Sequence, residues 1–251
     1  MPTADSTAKV LLTGASQGIG KAIFLALARS RHFVLGVSRT KPEEVASSAR
    51  SSESDYLAWK PLDLSNAADI AQCVSSLEGI AIRALILCAV DYGPGGRHPA
   101  SASSAQEWQQ VIGTNCVGHC TLVSRLLPKL ITNSPGIIIN VSSDVAVLPA
   151  TGRAAYAASK AGLHAMLRAV AAENPVECLR VYQLIPTFQM VTSGIRRRRP
   201  IGFDFSSYAD PAVIAQVVYQ LVSPSGSSIA PGTYLVRRDG TMHIYPEITQ
   251  L

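Results

Sequence analysis

Ala8-Lys-Val-Leu-Leu-Thr13-Gly14-Ala-Ser16-Gln17-Gly18-Ile19-Gly20 leads directly into Lys21-Ala-Ile-Phe-Leu-Ala-Leu-Ala-Arg-Ser30. The run Ala8–Thr13 reads as a short buried strand, and the segment from Lys21 to about Ser30 as a helix. Three glycines fill the turn between them, each with a separate use. Gly14 permits a tight turn, Gly18 lets the backbone approach a phosphate, and Gly20 lets helix and strand pack closely. The free N–H groups at the start of the helix then face a pyrophosphate. Glycine-rich turns are common, so the signal lies in the placement of this one between a strand and a helix.

A second segment carries chemistry. Ala154-Ala-Tyr156-Ala-Ala-Ser-Lys160 places a phenol and an ammonium one helical turn apart on one face, and Val141-Ser142-Ser143 lies just upstream. A free tyrosine, with a pKa of about 10, is a poor acid–base catalyst at neutral pH. A nearby ammonium stabilises the phenolate and draws that pKa toward the working range. A serine hydroxyl completes a site that could hold the oxygen of a reacting group.

Taken together, Thr13-Gly-x-x-x-Gly-x-Gly20, a serine and Tyr156-x-x-x-Lys160 resemble the classical short-chain dehydrogenase/reductase family, over about Lys9 to Gly240. Within it, Glu173-Asn-Pro175 and the strand leading to Pro186 resemble the carbonyl, sepiapterin and benzil reductase branch. The family places its serine about thirteen residues before the tyrosine, which selects Ser143 and would turn Ser142 to the opposite side of the strand end. The resemblance also assigns Asn115, in Trp108-Gln-Gln-Val-Ile-Gly-Thr-Asn115, to a water-mediated proton relay ending at Lys160. The implied catalytic set is Asn115, Ser143, Tyr156 and Lys160. The implied reaction is hydride transfer between a nicotinamide and the carbonyl carbon of a small substrate, or its reverse from the alcohol. Tyr156 would supply the proton, and Lys160 would lower the pKa of Tyr156 and contact the nicotinamide ribose.

Strand-like and helical runs alternate along the chain: strands at Phe33–Ser38, Tyr56–Trp59, Arg83–Cys88, Gly136–Val141, Leu179–Leu184 and Tyr234–Val236, helices at Asn66–Leu77, Ala105–Ile131, Arg153–Glu173 and Pro211–Val222. Ser65 suits the start of the first of these helices better than Asp63 does. Near-continuous apolar strands separated by helices predict an α/β fold, one doubly wound Rossmann-type domain with a parallel sheet covered on both faces. The resemblance implies seven strands in the order 3-2-1-4-5-6-7. The expected domain is 9–251 after a flexible tail at 1–8, with a mobile lid at about 187–209.

Ligands of such sheets bind beyond the carboxyl ends of the strands. The residues expected to hold the cofactor fall there: Thr13, Gly14, Ser16, Gln17, Gly18, Ile19 and Gly20 after strand one, Ser38 and Arg39 after strand two, Asp63 and Leu64 after strand three, Cys88, Ala89 and Val90 after strand four, Pro186 and Thr187 after strand six, with Tyr156 and Lys160. An acidic residue ending strand two would bind the ribose diol and repel a 2′-phosphate. Ser38-Arg39 offers a donor and a guanidinium instead, so NADP(H) is expected in preference to NAD(H). Gln17 stands where many NADP-preferring relatives carry a second basic residue. Other departures lie at Leu87-Cys88-Ala89-Val90, where the family has Asn-Asn-Ala-Gly, at Thr187 in place of Gly, and at Val191, with Thr192 one place late. A second reading therefore stays open, a non-redox isomerase, cyclase or binding role on the same fold.

The chain has 251 residues, 47% hydrophobic and 16% charged, which suits a filled core. It has no apolar run near the roughly 20 residues that span a bilayer, and no membrane role is expected. Five unpaired cysteines (73, 88, 116, 120, 178) and a polar N-terminus suit a reducing, cytoplasmic location. Cys116, His119 and Cys120 lack a second pair of ligands, so packing is expected and no metal. The net charge of +5 owes much to Arg196–Arg199. A solvated loop is the favoured reading, a lid drawing an anionic substrate or the cofactor phosphates comes next, and polyanion binding well behind; no nucleic-acid partner is expected. The substrate pocket is expected between Asp91–His98, Val145–Gly152 and Thr187–Tyr208, with the aromatic residues of the last giving an apolar surface. The resemblance implies a homodimer or homotetramer paired through Ala105–Ile131 and Arg153–Glu173.

Overall fold

Every second residue of β1 (Lys9–Thr13) faces the same side of the sheet, and both sides are covered. Val10 and Leu12 join one apolar cluster and Leu11 joins another, on the opposite face. In the computed structural model, which describes residues 9–43, 45, 54–93 and 97–246, this pattern repeats along the sheet. The expected tail at 1–8, and residues 94–96 of the expected substrate pocket, lie outside the described residues.

The strands are β1, β2 (Val34–Ser38), β3 (Leu57–Pro61), β4 (Ile82–Leu87), β5 (Gly136–Val141), β6 (Leu179–Pro186), β7 (Gly232–Val236) and β8 (Met242–Ile244). They form one sheet in the order β3-β2-β1-β4-β5-β6-β7-β8. The first seven are parallel, as expected. The eighth was not anticipated: it pairs antiparallel with β7 and closes that edge. Only three residues long, and following the turn at Gly240, it gives too short a pattern to read as a strand.

Helix α1 (Gly18–Arg29) and α7 (Ala212–Val222) cover one face, bringing Ile23, Phe24, Leu27, Ile214, Val218 and Leu221 onto β1, β4 and β6. The other face carries α2 (Ala67–Ser75), α4 (His119–Thr132) and α5 (Ala154–Glu173), with Ile70, Leu122, Leu126, Leu163 and Leu167 at its core. Among the described residues no helix is long and apolar enough to cross a membrane. Asn66, not Ser65, caps α2: its side-chain oxygen accepts from Ala68 N at 2.9 Å, and the Ser65 hydroxyl donates to Asp63 Oδ1 at 2.7 Å.

The expected long helix over 105–131 is three segments. α3 (Ala105–Ile112) runs into a π-helical turn, Gly113–Gly118, and then into α4. A side chain at Gly118 would collide with the Leu64 carbonyl, so this helix rests directly on the backbone after β3. The segment 187–209, expected as a long irregular lid, contains regular structure. Thr192 caps a one-turn helix α6 (Ser193–Arg196), its hydroxyl oxygen accepting from Ile195 N at 3.1 Å.

One buried hydroxyl joins β1, β4 and α4. Thr13 Oγ1 accepts from Cys88 N at 2.9 Å and Ala89 N at 3.1 Å, and lies 3.1 Å from His119 Nε2. His119 Nδ1 is 3.0 Å from the Asn115 carbonyl, which can only accept, so Nδ1 carries the ring proton and Nε2 accepts from Thr13. A longer 3.4 Å approach to the Ile86 carbonyl competes for the same hydroxyl proton. Thr13 thus braces the chain after β4 where Cys88 offers no asparagine side chain. Val90 needs no glycine conformation: among the described residues Arg31 is the one non-glycine at positive φ, so the chain passes Val90 in an ordinary conformation.

Burial lowers the His119 pKa from 6.5 to about 4. Its folded value lies below its unfolded one, so its stabilising contribution is present above pH 6.5 and is lost as the pH falls through 4. A shift of that size corresponds to on the order of 3 kcal/mol. Urea unfolding at pH 7 and pH 4 should therefore show a smaller acid loss in His119→Asn than in the parent chain. An equal loss in both would assign the acid sensitivity elsewhere.

Candidate active site

The glycine turn, the strand ends and the lid enclose a cleft of about 400 Å³. Thr13, Gly14, Ser16, Gln17, Gly18, Ile19, Gly20, Ser38, Arg39, Asp63, Leu64, Cys88, Ala89, Val90, Tyr156 and Lys160 all line it. Pro186 and Thr187 do not. The Thr187 hydroxyl donates to the Val236 carbonyl at 3.1 Å, turned toward β7, and the lid wall of the cleft comes instead from Thr192, Gly194, Arg197 and Arg198.

The cleft fits a dinucleotide on three counts. Gly14 (φ 77) and Gly18 (φ 59) hold the left-handed backbone that the turn needs. α1 begins without a side-chain cap or an acidic residue in its first turn, leaving its N–H groups for an anion. Ser142 Oγ, at the edge of the cleft, is buried and has no partner among the described residues. Ser142 thus faces the cleft rather than away from it.

At the end of β2 the expected pair divides. Ser38 is occupied internally, donating to the Thr40 carbonyl at 2.7 Å and accepting from Trp59 Nε1 at 3.0 Å. Arg39 is exposed, its side chain 62% accessible, and makes one long ion pair, 3.9 Å, with Asp91 Oδ2. Beside it, Gln17 Oε1 accepts from Arg197 Nη2 at 2.9 Å, which brings a second guanidinium to the turn where the sequence has none.

Ser143, Tyr156 and Lys160 come together where β5 ends and α5 begins, whereas Asn115, in the π turn, reaches α5 through Ser159, and neither Asn115 nor Ser143 is among the residues lining the cleft. Tyr156, in the first turn of α5, is hydrogen-bonded to Ser143, whose hydroxyl also donates to Asp144 Oδ1 at 2.8 Å. Lys160, one turn on, is buried and donates from Nζ to the Val141 carbonyl at 3.0 Å. Asn115 donates from Nδ2 to the Asp91 carbonyl and accepts at Oδ1 from Asp91 N, both at 2.7 Å. It also donates to Ser159 Oγ at 3.1 Å, and Ser159 in turn donates to the Tyr156 carbonyl at 2.8 Å. The Asn115 side chain thus fixes the loop after β4 against α5.

Burial lowers the Lys160 pKa from 10.5 to about 8. Burial, with Tyr92 alongside, raises the Tyr156 pKa well above 10.0, against the Ser143 hydrogen bond and the Arg153 charge. The phenol is therefore held as a proton donor, and the expected lowering of its pKa by Lys160 does not appear, because burial outweighs the groups that lower it, Ser143 and Arg153. Tyr92, within the expected pocket segment Asp91–His98 but carrying no motif, has its ring centroid 5.0 Å from that of Tyr156.

A second cavity of about 560 Å³ meets the cleft at Tyr92, Tyr156 and Arg198. His98, Glu107, Gly152, Arg153 and Gln189 also line it. The expected aromatic surface lies elsewhere, because Phe203, Phe205 and Tyr208 pack edge-on against one another. The arginine run is solvent-exposed, as expected, but three of its four guanidiniums are held on aromatic rings. Arg196 stacks on Phe205 (4.9 Å), Arg198 on Tyr92 (4.2 Å) and Arg199 on Phe203 (5.0 Å). These contacts are made by tertiary placement, which a run of four like charges does not disclose. Cys116 Sγ and Cys120 Sγ lie 3.9 Å apart, while both nitrogens of His119 are engaged on Thr13 and Asn115.

A family model for short chain dehydrogenases matches residues 8–199. A 3-oxoacyl-(acyl-carrier-protein) reductase, FabG, of Rickettsia bellii is 29% identical over 233 residues, 89% of this chain and 92% of the relative. The benzil reductase ((S)-benzoin forming) IRC24 of Saccharomyces cerevisiae is 28% identical over 256 residues, 92% of this chain and 95% of the relative. Among solved structures, an alcohol dehydrogenase from Thermococcus sibiricus complexed with 5-hydroxy-NADP superposes with a TM-score of 0.78 at 23% identity, covering 96% of this chain and 99% of that one. With the motif order, the sheet order and these matches in agreement, the chain belongs to the short-chain dehydrogenase family.

Proposed function

We propose that the protein is an NADPH-dependent reductase of a small carbonyl compound, able to run in reverse as an alcohol dehydrogenase. One observation carries this reading: the protonated phenol of Tyr156 lies where the nucleotide cleft and the second cavity meet. When bound, the reduced nicotinamide would supply the hydride and end as the oxidised nucleotide. Tyr156 gives its proton to the carbonyl oxygen, and Ser143 steadies that oxygen and the phenol. Charged Lys160 stabilises the phenolate that remains until a solvent proton replaces the one donated. Asn115 acts by position, holding the backbone of Asp91 and the start of α5. The names of FabG and benzil reductase support a reductase, and solved relatives carry NADP, NADPH or NADH. Preference for NADPH rests on the exposed Arg39 and on Arg197 beside Gln17. A cytoplasmic location and self-association as a homodimer or homotetramer through the segment α3 to α4 and through α5 belong to the same reading, and the mass in solution checks the latter.

Fluorescence titration should give tighter binding of NADPH than of NADH. Arg39→Ala and Arg197→Ala should each weaken NADPH by about tenfold or more while changing NADH far less, the size of a lost charge-assisted hydrogen bond. Tyr156→Phe should keep NADPH binding and lose at least about 100-fold in reduction of a diketone panel. Failure of the parent chain to bind either nucleotide would overturn the reading in favour of a non-redox role.

Reduction should decline as the pH rises through about 8, where Lys160 loses its proton. The same residue opposes folding. Its folded pKa of about 8 lies below its ordinary 10.5, so the cost is full below pH 8 and gone above 10.5. Lys160→Met should therefore be more stable at pH 7, by on the order of 3 kcal/mol, yet inactive. A variant no more stable than the parent would show that the charge is better solvated than its burial indicates.

A further inference from the structure

The cavity beside Tyr156 has a charge pattern that a neutral carbonyl compound would leave unanswered. Arg198 stacks at 4.2 Å on Tyr92, Tyr92 on Tyr156 at 5.0 Å, and Arg153 approaches the Tyr156 ring at 5.8 Å. Two guanidiniums therefore flank the proton donor, both lining the cavity. Among the described residues neither pairs with a carboxylate. Holding cations together without counter-charge is unfavourable unless an anion joins them.

The backbone adds to the same field. α5 is 20 residues long and begins at this cavity, where Ala154, Ala155 and Tyr156 form part of the wall. Its N-cap position is Arg153, which supplies no side-chain cap, and its first turn holds no acidic residue. The N–H groups of that turn are left for an external acceptor, at the positive end of the helix dipole. The one acidic residue on the cavity wall, Glu107, is 9% exposed and engaged by His98 Nε2 at 2.9 Å.

We propose that the substrate of this site is a carbonyl compound bearing an anionic group, carboxylate or phosphate, anchored by Arg153, Arg198 and the start of α5. This deepens the reductase reading and rests on it. Arg198 already rests on Tyr92, so the anchor is in place before the anion arrives. The cavity volume, about 560 Å³, suits a compound of ordinary metabolite size.

The test compares matched pairs with NADPH: 2-oxo-4-phenylbutanoate against its ethyl ester, and dihydroxyacetone phosphate against dihydroxyacetone. The charged member of one pair should be preferred in kcat/KM by about tenfold or more, and the pair that shows it identifies the anion. Arg198→Gln and Arg153→Gln should each reduce that charged-to-neutral ratio by about tenfold, and Arg198→Lys should keep part of it. Neutral members turned over as well as charged ones, or a ratio unmoved by the variants, would overturn the proposal. Calorimetric titration of the nucleotide-free chain with 2-hydroxy-4-phenylbutanoate and with glycerol 3-phosphate separates this claim from the reductase reading. Binding of one, lost in Arg153→Gln, is the expected result. Binding of neither overturns the anion site whatever NADPH does, whereas anion binding without NADPH binding overturns only the reductase reading.

Discussion

The site depends on a single buried hydroxyl. Thr13 is fully buried at the end of β1 and gathers the first two backbone amides after β4 together with the His119 ring. Parallel strands end without a partner for their last N–H groups, and a buried amide left unpaired costs on the order of 1–3 kcal/mol. By satisfying two of them Thr13 fixes where the chain turns after β4. Asn115 continues the same bracing two residues on, at the backbone of Asp91. The floor of the cleft is thus set by side chains from β1, α4 and the π turn, and the loop it supports has only to follow.

Short-range pattern made the fold legible, and long-range contact supplied what the sequence concealed. The glycine turn between Thr13 and Lys21, and Tyr156 and Lys160 one turn apart, are local arrangements whose meaning is complete within a few residues. His119 read as a packing residue near two cysteines, because its partner Thr13 is 106 positions away. Ser38 read as a cofactor donor, but its proton goes to the Thr40 carbonyl and its oxygen also accepts from Trp59, 21 positions on. The lid followed the same rule. Thr187 follows β7 instead of the cleft, and Arg197 meets Gln17 across 180 positions, so the missing basic residue of the glycine turn is provided from the far end of the cleft wall.

Electrostatics divides the site into two halves with opposite habits. Near β5 and α5, burial suppresses charge: it raises the phenol of Tyr156, lowers the ammonium of Lys160 and pushes the Cys88 thiol up to about 12. Near the lid, four guanidiniums remain exposed and lie over aromatic rings or against an amide. Stacking holds a cation in place without neutralising it, so the arginines keep their charge for a ligand while the lid keeps its shape. Tyr92 touches both halves.

The π turn at Gly113–Gly118 bears on how this chain can vary. Such a turn accommodates one more residue than an α-helix of the same rise, and each residue rotates a helix by about 100°. Deleting one residue from Gly113–Gly118 would leave a smoother helix. It would also swing either the Asn115 side chain off Asp91 or the His119 ring off Thr13, since the two lie on opposite sides of the adjustment. Length in this segment is therefore fixed as firmly as residue identity. Point changes on its outward side, at Val117 for example, are free to accumulate, while insertions and deletions are not.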